Sequence, residues 1–90
     1  PTIVGAQAAN ELLNITGIKA SFVLTDYNGK IYISSRSIDE INVQLIMEAL
    51  GGGGHLTIAG AQLEHYTITE VKHMLQQTID KMIEEGDIKV

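Results

Sequence analysis

The stretch with the clearest chemical potential is GGGGH, residues 51–55, in which four consecutive glycines precede a histidine. Each glycine loses more backbone freedom on folding than any other residue, so four together are costly. Glycines let successive backbone N–H groups turn toward one point, and a missing Cβ lets a phosphate come close. We therefore interpret the stretch as an anion-binding loop, to which His55 adds a side-chain donor. The plainer alternative, a helix end followed by a loose connection, fits one or two glycines better than four.

Arg36 is the only arginine and lies within SSRS, residues 34–37. A guanidinium group can form two parallel charge-assisted hydrogen bonds to a phosphate, and Ser35 or Ser37 can add a hydroxyl donor. For Arg36 alone, an ordinary surface arginine paired with Asp39 is the simpler interpretation. However, Arg36 and the glycine loop flank the same predicted helix, and a strand end and a loop can converge on one cleft. This arrangement favours a shared phosphate site.

The other histidines and the carboxylates do not form a reaction centre. His65 follows Glu64 in a predicted loop or strand end, and His73 is expected on the solvated side of the last helix. No carboxylate is combined with a histidine at metal-ligand spacing, and no Ser-His-Asp signature is evident. The glycines are followed by no G-K-[ST] and preceded by no strand, which excludes a Walker loop and a dinucleotide fingerprint. The sequence thus predicts residues that can bind a phosphate but no catalytic or metal-ligating residue.

The composition is that of one small folded domain. Hydrophobic residues make up 44% and charged residues 19% of the 90 residues, an ordinary globular balance. The net charge of −5 argues against a broad nucleic-acid-coating surface, but a few local donors can still hold a small anion. No membrane span or signal peptide is evident, and the lack of cysteine fits a reducing cytoplasm. Because the chain starts at Pro1 without an initiator methionine, we expect a piece of something longer.

A β-hairpin is predicted around Asn-Gly at residues 28–29, which separate two runs of alternating apolar residues. Asn-Gly is typical of a two-residue type I′ turn. If Tyr27 pairs with Lys30, counting along the strands places Ser21 opposite Arg36. Arg36 then projects from the more polar face of the sheet. The face predicted to pack into the core carries Ala20, Phe22, Leu24, Ile31 and Ile33.

Helical periodicity is expected in two segments before the glycine loop. Residues 3–15 have apolar side chains on one face and are rich in alanine, and Gly17 is a plausible end. Asn42 is a good N-cap for the next helix, which Gly51 ends, and a capping box over residues 37–40 competes for its start.

The remaining segments complete the predicted fold. Residues 59–65 form a weak strand, and Thr67 with Glu70 fits a capping box for a last helix that ends at Gly86. The predicted fold class is therefore α/β, with a small sheet built on the hairpin, about three packed helices and a Gly-rich loop.

These motifs resemble a known family. GGGGHLTIAG, residues 51–60, is similar to the G-G-G-H-x-x-A-[AS]-G signature of the substrate-binding domain that accompanies DHH-type phosphoesterases. SSRS resembles the serine-arginine element that precedes it, and INVQLIMEALGGGGH resembles its helix into the loop. The opening IVGAQAANELLNITGIKASFVL is similar to the corresponding region of the bacterial membrane-anchored cyclic-di-AMP phosphodiesterases. The resemblance spans nearly the whole chain, and we place the domain at residues 2–86.

The resemblance implies one half of a manganese-dependent phosphodiesterase. The catalytic DHH domain, absent from this chain, would bind Mn²⁺ and activate water. The present half would hold the phosphate and base of a cyclic dinucleotide, or of a short oligonucleotide, across an interdomain cleft. Arg36 and His55 would contact the phosphate, Ser35 or Ser37 could assist, and three glycines would cradle it. Those glycines are Gly52, Gly53 and Gly54.

Further expectations follow from the same resemblance. The isolated fragment should be inactive and hold no cofactor. Its partners would be the nucleotide substrate and the DHH domain of the same polypeptide. The resemblance does not decide whether the domain also forms a homodimer. The domain would be cytoplasmic without direct membrane contact, and any membrane anchor would lie outside these residues.

Ile58 departs from the family pattern, which has a small residue or Asn at this position. An isoleucine could narrow the pocket or pack under it. Other functions also stay open: a non-catalytic nucleotide-binding or regulatory module, an interaction domain that dimerises through its hairpin, and a RecJ-like exonuclease or oligoribonuclease domain. The acidic net charge weighs against a long DNA track.

Overall fold

A computed structural model of the protein describes residues 9–15, 19–38 and 41–88. Its elements, in chain order, are β1 (Ala9–Ile15), β2 (Ala20–Tyr27), β3 (Lys30–Ser37), α1 (Val43–Ala49), β4 (Gly53–Gly54), β5 (Ile58–Glu64) and α2 (Ile68–Glu84). The strands form one antiparallel sheet in the order β1-β2-β3-β5-β4. The predicted α/β class is confirmed, although the described part of the chain contains two helices where about three were expected.

The segment Ala9–Ile15, predicted to be the second half of a helix, is strand β1. It pairs antiparallel with β2, from Ala9 opposite Asp26 to Ile15 opposite Ala20. The helix prediction was wrong here because helix propensity is a weak preference. Pairing along seven residues satisfies backbone N–H and C=O groups on the side of β2 that β3 does not cover. Residues 3–8 and the predicted end at Gly17 lie outside the described residues.

The β2–β3 hairpin has the predicted turn and register. Asn28 and Gly29 have φ angles of 58° and 80°, which is the left-handed conformation that a type I′ turn requires. Tyr27 pairs with Lys30, and counting from that pair puts Ser21 opposite Arg36. The two-residue Asn-Gly signal therefore determines which residues of the two strands share a face.

Both helices pack against the same face of the sheet. Helix α1 lies against β3, β4 and β5, and α2 lies against β1 and β2. The five predicted core residues of the hairpin are all buried, together with the inner stripes of the helices. We call the opposite side of the sheet the outer face; no described helix covers it. Neither described helix has the length and apolar character that crossing a membrane requires.

Helix α1 has well-defined ends, and these position the residues on both sides of it. The Asn42 side chain accepts a hydrogen bond from the Leu45 N–H at 3.2 Å, so Asn42 is the N-cap and the competing capping box over residues 37–40 is not used. At the other end, the N–H groups of Gly51 and Gly52 donate to the carbonyls of Glu48 and Met47, at 3.1 and 2.7 Å. This is the Schellman pattern, for which Gly51 adopts a φ of 88°.

Helix α2 begins with the predicted capping box. The Thr67 hydroxyl accepts from the Glu70 N–H at 3.1 Å, and the Glu70 carboxylate accepts from the Thr67 N–H at 2.8 Å. Gly86, with a φ of 84°, follows its last turn as predicted. The helix is thus fixed at both ends by local signals.

Candidate functional site

Arg36 lies near the end of β3 and projects from the outer face of the sheet. It is paired with Ser21 of β2 on one side and with Ile58 of β5 on the other. Its side chain is exposed, and its guanidinium makes no hydrogen bond or ion pair with any residue that the structure describes. Asp39, considered above as its ion-pair partner, lies outside the described residues. Within the described part of the chain, no residue therefore competes with a ligand for this exposed guanidinium.

The β4–β5 hairpin brings His55 into line with Arg36. Gly54 pairs with Ala59, and the His55 N–H donates to the Ile58 carbonyl at 2.7 Å, so the register extends to His55 opposite Ile58. Arg36, Ile58 and His55 therefore form one cross-strand row over three neighbouring strands. Because residues directly opposite each other project from the same face, all three lie on the outer face. At ordinary strand spacing, the Cα atoms of Arg36 and His55 are about 10 Å apart.

Two backbone hydrogen bonds anchor the turn between β4 and β5. The Leu56 carbonyl accepts from the Val43 N–H at 3.0 Å, and the Thr57 carbonyl accepts from the Ser37 N–H at 2.9 Å. Val43 is the first residue of α1, and Ser37 is the last residue of β3. The turn that follows His55 is thereby fixed to the segment that follows Arg36.

The four glycines serve different structural purposes. Gly51 is required by its positive φ, as described above. A Cβ on Gly52 would lie 2.0 Å from the Gly60 carbonyl oxygen, and one on Gly54 would lie 2.5 Å from the Ala59 Cα. A Cβ on Gly53 would meet nothing within 4 Å. Internal packing therefore explains Gly52 and Gly54 but not Gly53, whose missing side chain leaves open space.

Most N–H groups of the loop are occupied by internal hydrogen bonds. Those of Gly51 and Gly52 cap α1, and that of His55 bonds to Ile58. Hydrogen-bonded and non-hydrogen-bonded pairs alternate in an antiparallel ladder, so the N–H of Gly54 points away from β5 toward the edge of the sheet. The sequence predicted several successive N–H groups that converge on one point. The structure instead has one outward N–H, at Gly54, and room for a ligand to approach closely at Gly53.

The two serines beside Arg36 donate their hydroxyls to the protein itself. Ser35 is only 2% exposed, and its Oγ donates to the Ala59 carbonyl at 2.7 Å. Since strand residues alternate between faces, Ser35 lies on the core side, away from the Arg36 side chain. The Ser37 Oγ donates to the Ile41 carbonyl at 2.5 Å. Ser34, which the sequence analysis did not choose as a site residue, is exposed and shares the outer face with Arg36.

A small pocket of about 110 Å³ borders Arg36 on the side of β2. It is lined by Lys19, Ala20, Ser21, Arg36, Ser37 and Ile38. Lys19, just before β2, was not predicted as a site residue; it also lines the pocket and carries a second positive charge. Pockets for whole organic ligands usually measure about 300–1,000 Å³. The pocket beside Arg36 is therefore smaller than a site that encloses a whole nucleotide.

The remaining histidines lie apart from this row. His65 is exposed after β5 with a φ of 69°, and His73 is exposed on α2. Within residues 9–15, 19–38 and 41–88, no three histidine or carboxylate side chains are grouped so that they could hold a metal ion. The donor set described here therefore does not fit Mn²⁺, and no step through a metal is assigned to these residues.

The sequence profile of the DHHA1 domain matches residues 3–85. The chain is 50% identical over 80 residues to the cyclic-di-AMP phosphodiesterase PdeA of Listeria monocytogenes, an alignment that covers 88% of this chain and 12% of that protein. It is 48% and 45% identical over 82 residues to the cyclic-di-AMP phosphodiesterases GdpP of Geobacillus thermodenitrificans and Bacillus subtilis, covering 90% of this chain and 12% of each relative. The chain thus spans about an eighth of the length of these relatives.

Proposed function

The chain belongs to the DHHA1 domain family, and from this premise we propose that it forms the phosphate-binding wall of a phosphodiesterase that hydrolyses a cyclic dinucleotide such as cyclic-di-AMP. Relatives that carry this activity in their names support the reaction class. The other wall, with the Mn²⁺ site and the activated water, would belong to a DHH domain of the same polypeptide.

The observation that carries the proposal is the cross-strand row of Arg36, Ile58 and His55 beside the open position at Gly53. A phosphate above this row can receive charge-assisted hydrogen bonds from Arg36 and a further bond from His55. The outward N–H of Gly54 adds a neutral donor, and the open space at Gly53 allows close approach. An acidic chain that exposes its only arginine beside such groups is suited to a small anion.

In this proposal, the chain contributes orientation and electrostatic stabilisation but no proton transfer. Arg36 neutralises phosphate charge and fixes the angle of the substrate, because its planar fork bonds two oxygens at once. The anchored β4–β5 turn holds His55 at a fixed distance from the strand that carries Arg36. Prior positioning of donors lowers the barrier, since they need not reorganise as charge develops.

Arg36→Ala in the full-length protein that contains this chain tests the proposal. One charge-assisted contact is worth about 1.5–3 kcal/mol, so kcat/KM for cyclic-di-AMP should fall about ten- to a hundredfold. Lys30→Ala is the matched control, because it removes a positive charge from the opposite end of the same strand. Equal kinetics of the Arg36 variant and the wild type, with Mn²⁺ saturating, would contradict the proposal.

The substrate class requires a separate measurement. Steady-state kinetics with cyclic-di-AMP, a linear dinucleotide and a longer single strand should give the highest kcat/KM for the cyclic dinucleotide. A preference for the longer strand would instead support an exonuclease. Tight binding of a nucleotide without any turnover would support the non-catalytic module.

A further inference from the structure

Ile58 occupies the centre of the cross-strand row, between the two side chains proposed to bind phosphate. Arg36 lies opposite it on β3, and His55 lies opposite it at the end of β4. Its side chain is 53% exposed, whereas the next residue of the strand, Ala59, is buried on the core side. A ligand that binds both Arg36 and His55 therefore lies above the apolar side chain of Ile58.

A surface without side chains adjoins this row. Two residues beyond Ile58 on the same face is Gly60, which pairs with Gly53 of β4 on one side and with Ser34 of β3 on the other. Gly53 and Gly60 thus form a bare shelf, of which Ile58 is the raised edge. The shelf is open above Gly53, where a Cβ would meet nothing within 4 Å.

We propose that Ile58 is a contact residue for the nucleobase, whose ring lies on the Gly53–Gly60 shelf against the isoleucine while Arg36 and His55 hold the phosphate. This inference rests on the proposed function and assigns the base-binding part of the same site. A phosphate gains nothing from an aliphatic neighbour, since that neighbour offers no hydrogen bond. The face of a nucleobase gains dispersion contacts and removes apolar surface from water.

The full-length protein provides the test, because phosphate and base contacts can be measured separately. AMP and inorganic phosphate serve as competitive probes of cyclic-di-AMP hydrolysis, and only AMP carries a base. In Ile58→Ala, the KM for cyclic-di-AMP and the inhibition constant of AMP should rise about three- to tenfold. The inhibition constant of inorganic phosphate and kcat should stay unchanged. Ile58→Leu, which keeps the apolar volume, should retain most of the affinity for AMP.

Leu45→Ala is the control, since Leu45 is another exposed apolar residue, 39% exposed on α1 away from the row. This variant should bind both probes like the wild type. If Ile58→Ala leaves the KM unchanged or lowers it, the isoleucine only fills space and the inference is wrong. If phosphate inhibition weakens as much as AMP inhibition, Ile58 acts by positioning Arg36 and His55, which also overturns it. Failure of the proposed function itself looks different, because Arg36→Ala and His55→Ala would then both leave hydrolysis unchanged.

Discussion

At the scale of single residues, the four glycines of the loop are not equivalent. Gly52 touches the backbone of β5 so closely that a side chain cannot fit, whereas Gly53 faces open space. Both glycines were predicted to cradle phosphate, because the sequence alone does not distinguish their roles. In the structure, Gly52 is required by its close contact with β5, whereas the position of Gly53 is open to a ligand.

This difference predicts opposite results for two neighbouring alanine substitutions. Gly52→Ala should destabilise the domain by about 1–3 kcal/mol or more, because the methyl group overlaps backbone atoms that cannot move aside. Gly53→Ala should leave the free energy of unfolding within about 1 kcal/mol of the wild type or raise it slightly. The same Gly53 variant should weaken cyclic-di-AMP binding, since the methyl group enters the space proposed for the ligand.

Thermal unfolding and substrate kinetics together check the pair. A stable Gly53 variant with wild-type KM would show that no ligand approaches this position. A Gly52 variant with wild-type thermal stability would mean that the close contact with Gly60 is relieved easily.

At the scale of elements, each side of the candidate site is held by backbone hydrogen bonds. Capping fixes both ends of α1, and the carbonyls of Leu56 and Thr57 tie the β4–β5 turn to Val43 and Ser37. Helix α2 lies away from the candidate site and packs against β1 and β2. Its stability therefore supports the sheet without contributing to the proposed ligand contacts.

The capping box of α2 predicts a change of stability without a change of binding. Thr67→Ala removes the hydroxyl that accepts from the Glu70 N–H, which should cost about 1 kcal/mol. For a domain of this size, that loss corresponds to a melting temperature lower by about 4–8 °C. Thr69→Ala, two residues later in the same turn, is the control; it should leave stability close to that of the wild type because Thr69 is exposed and does not cap the helix. Equal melting temperatures for the two variants would contradict the role of the cap.

At the scale of the whole molecule, the pocket next to Arg36 is small compared with the proposed substrate. The pocket beside Arg36 measures about 110 Å³, too little for a dinucleotide. The chain also spans only about 12% of the relatives that it resembles over most of its own length. Our proposal that this chain forms one wall of a two-domain site accounts for the small size of the pocket.

We therefore expect the isolated 90-residue chain to fold but not to hydrolyse cyclic-di-AMP when Mn²⁺ is added. Folding is expected because the sheet and both described helices share one buried core. Turnover is not expected because the described residues group no three metal-ligating side chains. Circular dichroism and a product assay check the two halves of this prediction. Hydrolysis by a homogeneous preparation, abolished by Arg36→Ala, would place a reaction centre within this chain.

Local signals determined much of the fold from sequence. Asn28-Gly29 specified the hairpin and its register, since the turn geometry fixes which residues pair. Asn42, Thr67 and Glu70 specified the helix starts, because their hydrogen bonds are made within one turn. The α/β class followed from these elements.

Long-range pairing was decided only by the tertiary structure. Nothing local reveals that Ala9–Ile15 pairs with β2, and an alanine-rich pattern favoured a helix there instead. Likewise, the alignment of Arg36, Ile58 and His55 depends on β5 lying between β3 and β4, and sequence spacing does not encode this strand order. The sequence by itself determined which groups can bind a phosphate, since that is a property of residue types. Their separation, and the isoleucine between them, were determined by contacts between strands that are distant along the chain.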